Sequence, residues 1–435
     1  MRVDLAVVRG PLAGRSFALA EHDTFLIGRS KDAHLRLRDD SAISRHHCII
    51  EFAPPRCQLR DLRSMNGTFV NGARVEGARL GHGDEVRIGE TTIRVDHDEE
   101  LRSFLSLSSP TDIAPESATV LCGLCSTPIP PGQGVLAVLG EGTNSHVCPR
   151  CAATSPSGVS GMARIPGYRL LERLSRGSQG LVYVAESQES RERVAIKFLL
   201  PAWVADRRMV KTFLREMQTL DRLRHPRIVS VRERGAHGAL LYMVMELVPG
   251  RNAETLRVER GGSLGRALAC RVVSQALEGL AYAHGNGVIH RDFKPSNILV
   301  EGDGETVEAK LADFGLSKTL GELGSLTCSG DVKGSIPFMP PDQILHCRRP
   351  LPQYDVYSAG ATLYHLLTGE PLYDFRPDAD PLAVILEDPP VPLLRRRPDL
   401  PRGLDEVVMK AVAKDLRERY PDARFLLQAL APYAS

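Results

Sequence analysis

From Tyr168 onward, strand-like apolar runs give way once to helix-like ones, and that order restricts the fold more than any other property of the 435 residues. The runs YRLLERL, LVYVAES, RVAIKFL, IVSVRER and LYMVMEL come first. Longer patterns such as LACRVVSQALEGLAYAHGNG and LDEVVMKAVAKDL come after. Strands followed by helices predict an α+β body of two lobes. VAIK closes one apolar run on Lys197, a cation able to pair with nucleotide phosphates, although an exposed strand-end lysine reads the same way in isolation. Further on come HRDFKPSN, with His290, Arg291, Asp292, Lys294 and Asn297, and then DFG at Asp313, Phe314 and Gly315.

In this order and spacing the motifs resemble the protein-kinase family over residues 167–432. The Lys294 and Asn297 pattern is similar to the Ser/Thr branch, and the whole looks most like a bacterial Hanks-type kinase. Phosphoryl transfer asks a protein mainly to position its reactants and neutralise charge. The resemblance implies that Lys197 holds the α- and β-phosphates of ATP and pairs with Glu216. It also implies that Asn297 and Asp313 bind Mg²⁺, with Mn²⁺ as the alternative, a hard cation that prefers oxygen ligands. Asp292 would orient the substrate hydroxyl and accept its proton, with Lys294 stabilising charge on the transferred group. ATP contacts are implied at Ser175, Gly177, Gly180, Val182, Ala195 and Lys197, and at Met245, Glu246 and Val248 of the hinge segment.

The chain departs from the family pattern in two places. In LSRGSQGLVY, Ser175 takes the first glycine position and Gln179 stands where an aromatic is common, while Gly177 and Gly180 keep the close approach to phosphates feasible. Pro340, Pro341 and Asp342 replace Ala-Pro-Glu, and Ser335 replaces a common threonine. The resemblance implies a structural ion pair between Asp342 and Arg419, and an Asp355 that braces the catalytic loop. Arg291 is of the kind balanced by an activation-segment phosphate, for which Ser325, Thr327 and Ser329 are candidates; a merely polar loop is the alternative for each.

Residues 1–97 read differently. Short alternating runs punctuated by Gly, Asn and Pro predict a β-sandwich. Gly28-Arg29, Ser44-Arg45-His46-His47, Asn66-Gly67-Thr68 and Asn71-Gly72 together resemble a forkhead-associated (FHA) domain, which implies recognition of phosphothreonine peptides. A dianionic phosphate needs charge-assisted donors, so Arg29, Ser44 and Arg45 are the phosphate candidates. Asn66 is the candidate for the peptide backbone, and His47 is read as a structural brace. Met65 occupies a position where a hydroxyl residue is common.

Between these regions lie a linker at 98–117, a cysteine segment at 118–153 and a second linker at 154–166. CGLC and CPRC place Cys122, Cys125, Cys148 and Cys151 as two pairs with 22 residues between them, a pattern that can set four thiolates around structural Zn²⁺ in a small ribbon. Redox-active dithiols are the competing reading. The other cysteines, Cys48, Cys57, Cys270, Cys328 and Cys347, are expected to be mostly buried small apolar side chains.

With 55 Lys and Arg against 53 Asp and Glu, the net charge of +2 gives no global basic excess that would mark a nucleic-acid binder. No apolar run approaches a membrane span and no signal-peptide pattern opens the chain, so a cytoplasmic location is expected. The expected architecture is multidomain: an all-β FHA sandwich, a small zinc ribbon and a C-terminal α+β bilobal kinase fold. The expected partners are protein substrates bearing Ser or Thr, phosphothreonine-containing proteins and a second copy of the chain, without nucleic acid or membrane. A non-enzymatic scaffold, a pseudokinase fused to a phosphopeptide adaptor, is the rival reading.

Overall fold

The computed structural model describes residues 1–20, 23–38, 40–102, 120–121, 128–129, 135–138, 144–147, 165–177, 180–199, 223–237, 240–314, 335–346 and 350–435. The chain divides into two compact units. One contains residues 1–109, 226–228 and 250–435, and the other residues 110–225 and 229–249.

The first unit opens with a sandwich of eleven strands: β1 (Arg2–Arg9), β2 (Ser16–Ala20), β3 (Asp23–Gly28), β4 (Leu35–Arg36), β5 (Cys48–Ala53), β6 (Arg56–Asp61), β7 (Thr68–Val70), β8 (Ala73–Val75), β9 (Gly77–Arg79), β10 (Glu85–Ile88) and β11 (Thr91–His97). They form two sheets, ordered β2-β1-β11-β10-β7-β8 and β4-β3-β5-β6-β9. In β1 and β11 every second residue is buried, as a sheet with one solvated face requires. Val3, Leu5, Ile93 and Val95 supply that inner face, packing with Phe25, Ile27, Cys48, Ile50 and Phe52 of the other sheet.

Strands β3 and β5 break the alternation. Residues 24–28 and 48–52 are buried consecutively. Thr24, Leu26, Ile49, Glu51 and, on β6, Arg60 are at most 6% exposed, yet none belongs to the sandwich core. A strand buried on both faces must be covered from outside. The cover is the helical part of the same unit: the Thr24 hydroxyl donates to the carbonyl oxygens of Ile344 (3.0 Å) and Leu345 (3.3 Å), and Arg60 reaches Asp380.

That helical part carries α1 (Ala253–Glu259), α2 (Arg266–Gly285), α3 (Pro341–Leu345), α4 (Pro352–Thr368), α5 (Pro381–Glu387), α6 (Leu393–Arg396), α7 (Arg402–Ala411) and α8 (Ala423–Leu430). α4 is buried nearly all round, so it is the central helix against which α2, α7 and α8 pack. It stops at Gly369, whose φ of +78° suits a left-handed cap. Three short strands, here called the small sheet, run Arg251–Asn252, Ile298–Glu301 and Glu308–Leu311.

The second unit contains two two-stranded hairpins, Val120–Leu121 with Pro128–Ile129 and Val135–Val138 with Asn144–Val147. It also contains a five-stranded antiparallel sheet. In spatial order its strands are Tyr168–Gly177, Gly180–Ser187, Arg193–Leu199, Leu240–Glu246 and Val231–His237. Ile165, Tyr183, Ile196, Phe198, Tyr242 and Val244 form its apolar face. Among the described residues no helix is long and apolar enough to cross a membrane. Cys48, Cys57 and Cys270 are buried free thiols, and burial pushes Cys57 and Cys270 up to about 12.

Candidate catalytic cluster and anion-binding loops

The small sheet positions the candidate catalytic residues of the first unit. Its antiparallel register sets Ile298 opposite Leu311, and the Ala312 N–H then donates to the Asn297 carbonyl at 2.8 Å. The two ends of this hairpin, one leading in from Asn297 and the other leading out to Asp313, therefore lie side by side.

Asp292, 7% exposed, is engaged at both carboxylate oxygens. Lys294 Nζ lies 2.8 Å from Oδ2, and Asn297 Nδ2 donates to Oδ2 at 3.0 Å and to the Asp292 carbonyl at 2.8 Å. The Ser335 hydroxyl donates to Oδ1 at 2.8 Å while accepting from Lys294 Nζ at 2.7 Å. An alcohol oxygen thus sits within hydrogen-bond reach of both a carboxylate and an ammonium. Asn297 spends its amide N–H groups on Asp292, so Oδ1 is the atom it can offer a cation.

The loop itself is held from beneath. Asp355, in the first turn of α4 and fully buried, accepts from the His290 N–H (2.7 Å), the Arg291 N–H (2.7 Å) and His284 Nε2 (2.8 Å). Burial pushes this carboxyl up, but the His284 hydrogen bond and the neighbouring imidazoles outweigh it and hold the group below the ordinary aspartate range. His290 donates from Nε2 to the Ala312 carbonyl (2.9 Å), which leaves Nδ1 to accept the Asp292 N–H (3.2 Å). Arg291 and Asp313 both take positive φ, 68° and 61°. Such strained residues persist where surrounding bonds over-determine them. Arg419 meets Asp342 in an ion pair with the arginine side chain wholly buried, and also donates to the carbonyls of Ala413 and Lys414.

In the second unit, Lys197 is 3% exposed, with Val182 opposite it on one side and Met243 on the other. Ala195 pairs with Val184 and Met245. Gly177 faces Gly180 and Ser175 faces Val182 across the first hairpin. Glu246 ends its strand, accepting from the Ser230 N–H at 2.9 Å, and Val248 follows two residues later. Glu216, Gly315, Ser325, Thr327, Ser329 and the cysteines at 122, 125, 148, 151, 328 and 347 lie outside the described residues. Among the described residues no group of three or more His, Cys, Asp or Glu is arranged to hold a metal.

At the sandwich end, Arg29, Ser44, Arg45 and Asn66 sit on adjacent loops. The Arg29 N–H donates to the Ser44 carbonyl (3.1 Å) and the Ser30 N–H to the Arg45 carbonyl (3.0 Å). Gly28 permits this approach, because a Cβ there would run into the Arg45 carbonyl. Ser44 Oγ accepts the Met65 N–H at 3.1 Å, leaving its own proton to donate. Asn66 Nδ2 donates to the Ala42 carbonyl at 2.7 Å. The fully buried His47 accepts the Ser44 N–H at Nδ1 (3.2 Å) and donates from Nε2 to the Gly67 carbonyl (3.3 Å), joining two loops. Burial holds it below the usual histidine value. Arg29 is exposed, and its guanidinium has no partner among the described residues. Met65 is 83% exposed.

A five-stranded sheet bearing the buried Lys197 in one unit, with the charged loop around Asp292 and a sandwich with an arginine-bearing loop cluster in the other, define a class, and comparison agrees. The family model for the protein kinase domain matches residues 168–426, and that for the FHA domain matches residues 25–89. The chain belongs to the protein kinase family and carries an N-terminal FHA domain.

Among its relatives, the probable serine/threonine-protein kinase PknB of Lactococcus lactis is 32% identical over 270 residues, which is 62% of this chain and 42% of that protein. Serine/threonine-protein kinase PknJ of Mycobacterium tuberculosis is 34% identical over 268 residues, 61% of this chain and 45% of the relative. The chain thus spans less than half the length of the curated relatives it matches. A crystal structure of a double mutant of the Mycobacterium tuberculosis PknI kinase domain aligns at a TM-score of 0.51 with 26% identity, covering 63% of this chain and 98% of that one. A fragment of Rad53 in complex with AMP-PNP aligns over 100% of both chains at a TM-score of 0.51 and 19% identity, a likeness of fold.

Sequence reasoning did not find the His284 bond to Asp355, the double engagement of the Ser335 hydroxyl or the cover over β3 and β5. The last had a signal in the unbroken buried runs of TFLIG and CIIEF.

Proposed function

We propose that the chain is a Ser/Thr protein kinase that transfers the γ-phosphate of ATP to Ser or Thr hydroxyls of proteins, itself included. The observation that carries this reading is the Ser335 hydroxyl, bonded at once to Asp292 and Lys294. A substrate alcohol in the same relation would donate its proton toward Asp292 Oδ1 while Lys294 faces the incoming phosphoryl oxygens. Lys197, paired with Glu216, holds the α- and β-phosphates. Asn297 and Asp313 offer hard oxygen donors that suit Mg²⁺, or Mn²⁺, and the cation supplies charge neutralisation on the nucleotide. Ser175, Gly177, Gly180, Val182, Ala195, Met245, Glu246 and Val248 cradle the rest of the nucleotide. Incubation with magnesium and γ-labelled ATP tests the reading: the wild type labels itself or a protein substrate, and Asp292→Asn does not. Equal labelling of the two makes the chain a scaffold.

The FHA domain, in this reading, binds phosphothreonine on substrates, on a partner kinase or on the chain's own activation segment at Thr327, through Arg29, Ser44, Arg45 and Asn66; Ser325 and Ser329 remain further candidate phosphosites of that segment. The domains divide at 1–97, 118–153 and 167–432. Cys122, Cys125, Cys148 and Cys151 hold structural Zn²⁺, and soft thiolates in two CxxC pairs are the donor set that supports it. One zinc per chain, lost on Cys148→Ser, is expected by elemental analysis; a metal-free purified chain with a reducible disulfide favours the dithiol reading. The buried free thiols Cys48, Cys57 and Cys270 suit a reducing cytoplasm.

A further inference from the structure

The contact that covers β3, β5 and β6 continues into the anion-binding loops. Arg60 donates from Nε (3.0 Å) and Nη2 (2.6 Å) to one oxygen of Asp380, with both side chains nearly inaccessible, 7% and 5% exposed. Arg63 donates to the Pro377 carbonyl. At the end of α5, Glu387 takes an ion pair from Arg45 and lies 2.9 Å from His46 Nδ1, whose other ring nitrogen is 3.0 Å from both oxygens of Asp32. A cavity of about 280 Å³ remains, lined by Arg29, Ser44, Arg45 and Met65 from the sandwich and by Arg376 and Glu387 from the helical part. Arg376 is itself engaged by Asp388 at 2.8 Å. Of the arginines that could face a phosphate here, Arg29 alone lacks an acidic partner or a carbonyl acceptor among the described residues.

We propose that the phosphate-reading face of the FHA domain is masked by the kinase domain of the same chain. The Glu387 carboxylate holds the Arg45 guanidinium that a phosphothreonine would recruit, and a phosphothreonine ligand binds by displacing it. This rests on the reading of Arg29, Ser44 and Arg45 as a phosphate site.

Two features make the mask a competitor rather than a permanent seal. Arg45 is 61% exposed, so its pair with Glu387 is the weak, solvent-screened kind, whereas the Arg60–Asp380 pair is shielded. The domains therefore stay joined while the carboxylate is exchanged. A phosphate also carries about twice the charge of a carboxylate and more acceptor oxygens, and it can add the partnerless Arg29 and the free Ser44 proton. Against it, the carboxylate is tethered, and tethering gives an intramolecular ligand an effective concentration of about millimolar. The mask lowers every ligand's apparent affinity by the same factor, so at a given concentration only ligands of high intrinsic affinity are admitted.

The test uses the full chain and a degenerate phosphothreonine peptide pool with its unphosphorylated twin. Glu387→Gln, nearly isosteric, is expected to bind the phosphorylated pool about tenfold more tightly than wild type, and adding Arg29→Ala should return binding to the unphosphorylated level. As a readout that needs no variant, the phosphorylated pool should speed amide exchange in residues 381–387 of the wild type. Equal or weaker binding by Glu387→Gln, with the Arg29 dependence intact, overturns the mask and leaves the reader standing, as does unchanged exchange in 381–387 on saturation. No phosphate-dependent binding in any form of the chain overturns the reader and the mask together.

Discussion

Replacing Arg60 by methionine keeps the unbranched apolar stem of the side chain and removes its charge, leaving Asp380 buried without its counterion. Both partners are under a tenth exposed, so solvent cannot replace the lost donors. Removing one member of such a pair costs about 3–5 kcal/mol. Asp380 has a second duty, accepting the Leu382 N–H at 2.9 Å as the cap of α5, through Oδ1 rather than the Oδ2 that meets Arg60. Asp380→Asn therefore retains the cap acceptor while weakening the pair, and a double-mutant cycle with Arg60→Met isolates the coupling. We expect about 2 kcal/mol or more of coupling, because two N–H donors of Arg60 converge on one shielded oxygen of Asp380. Since the chain has several domains, one global unfolding curve would mix transitions. Amide exchange of residues 56–61 and 381–387 reports the opening of this contact directly, and Arg60→Met should speed it about a hundredfold or more in both segments. If the two single variants add within about 0.5 kcal/mol and neither segment changes its exchange, the pair is not formed and the covering of β3 and β5 is wrong.

Three other perturbations separate the parts of the molecule. Ser335→Ala should lower kcat about tenfold with KM for ATP unchanged, and Ser335→Thr should restore it; an equal loss in both variants would place the defect in folding. Asp355→Ala leaves the His290 and Arg291 N–H groups and His284 without their acceptor, and should lower the opening free energy of residues 352–368, read by amide exchange, by about 3–6 kcal/mol. A fall below 1 kcal/mol would mean that water takes its place. His46 is pulled down by burial but pushed up more strongly by hydrogen bonds to Asp32 and Glu387, ending at about 8. Its folded value lies above the unfolded one, so its stabilisation is complete below about 6.5 and disappears as pH rises through 8, a loss of about 2 kcal/mol. Lys414, which burial pulls down to about 8, has the opposite sign and acts in the next window up, its contribution rising only as pH climbs from about 8 toward the unfolded lysine value. The pH slope of exchange in 381–387 should accordingly be compared between wild type and His46→Gln, and identical slopes would exclude the histidine.

That Asp292, Lys294 and Asn297 lie together was legible because one short loop carries all three. Asp355 and Arg419 could be named from their motifs, but their surroundings could not. His284 comes from α2 and completes a set of donors that two segments bring to Asp355 of a third, and nothing in its local sequence, YAHGNG, marks it. In the sandwich, the residues of β1 and β11 betray their arrangement by alternation. The runs in β3 and β5 give no more than strands from sequence, although an antiparallel sheet with a wet outer face has no use for Leu26, Ile49 and a buried Arg60 on that side. The missing information was the identity of the covering surface, which lies some 320 positions away.

This separation also has a consequence in time. Synthesis releases the amino-terminal sandwich long before α3 and α5 exist, so a nascent chain carries an uncovered apolar stripe at Leu26 and Ile49 through most of its elongation. Expressed without its carboxy-terminal companion, the sandwich would keep that stripe permanently and invite self-adhesion. Swapping it onto another catalytic domain would do the same, so the two ends of this polypeptide must evolve as a matched pair.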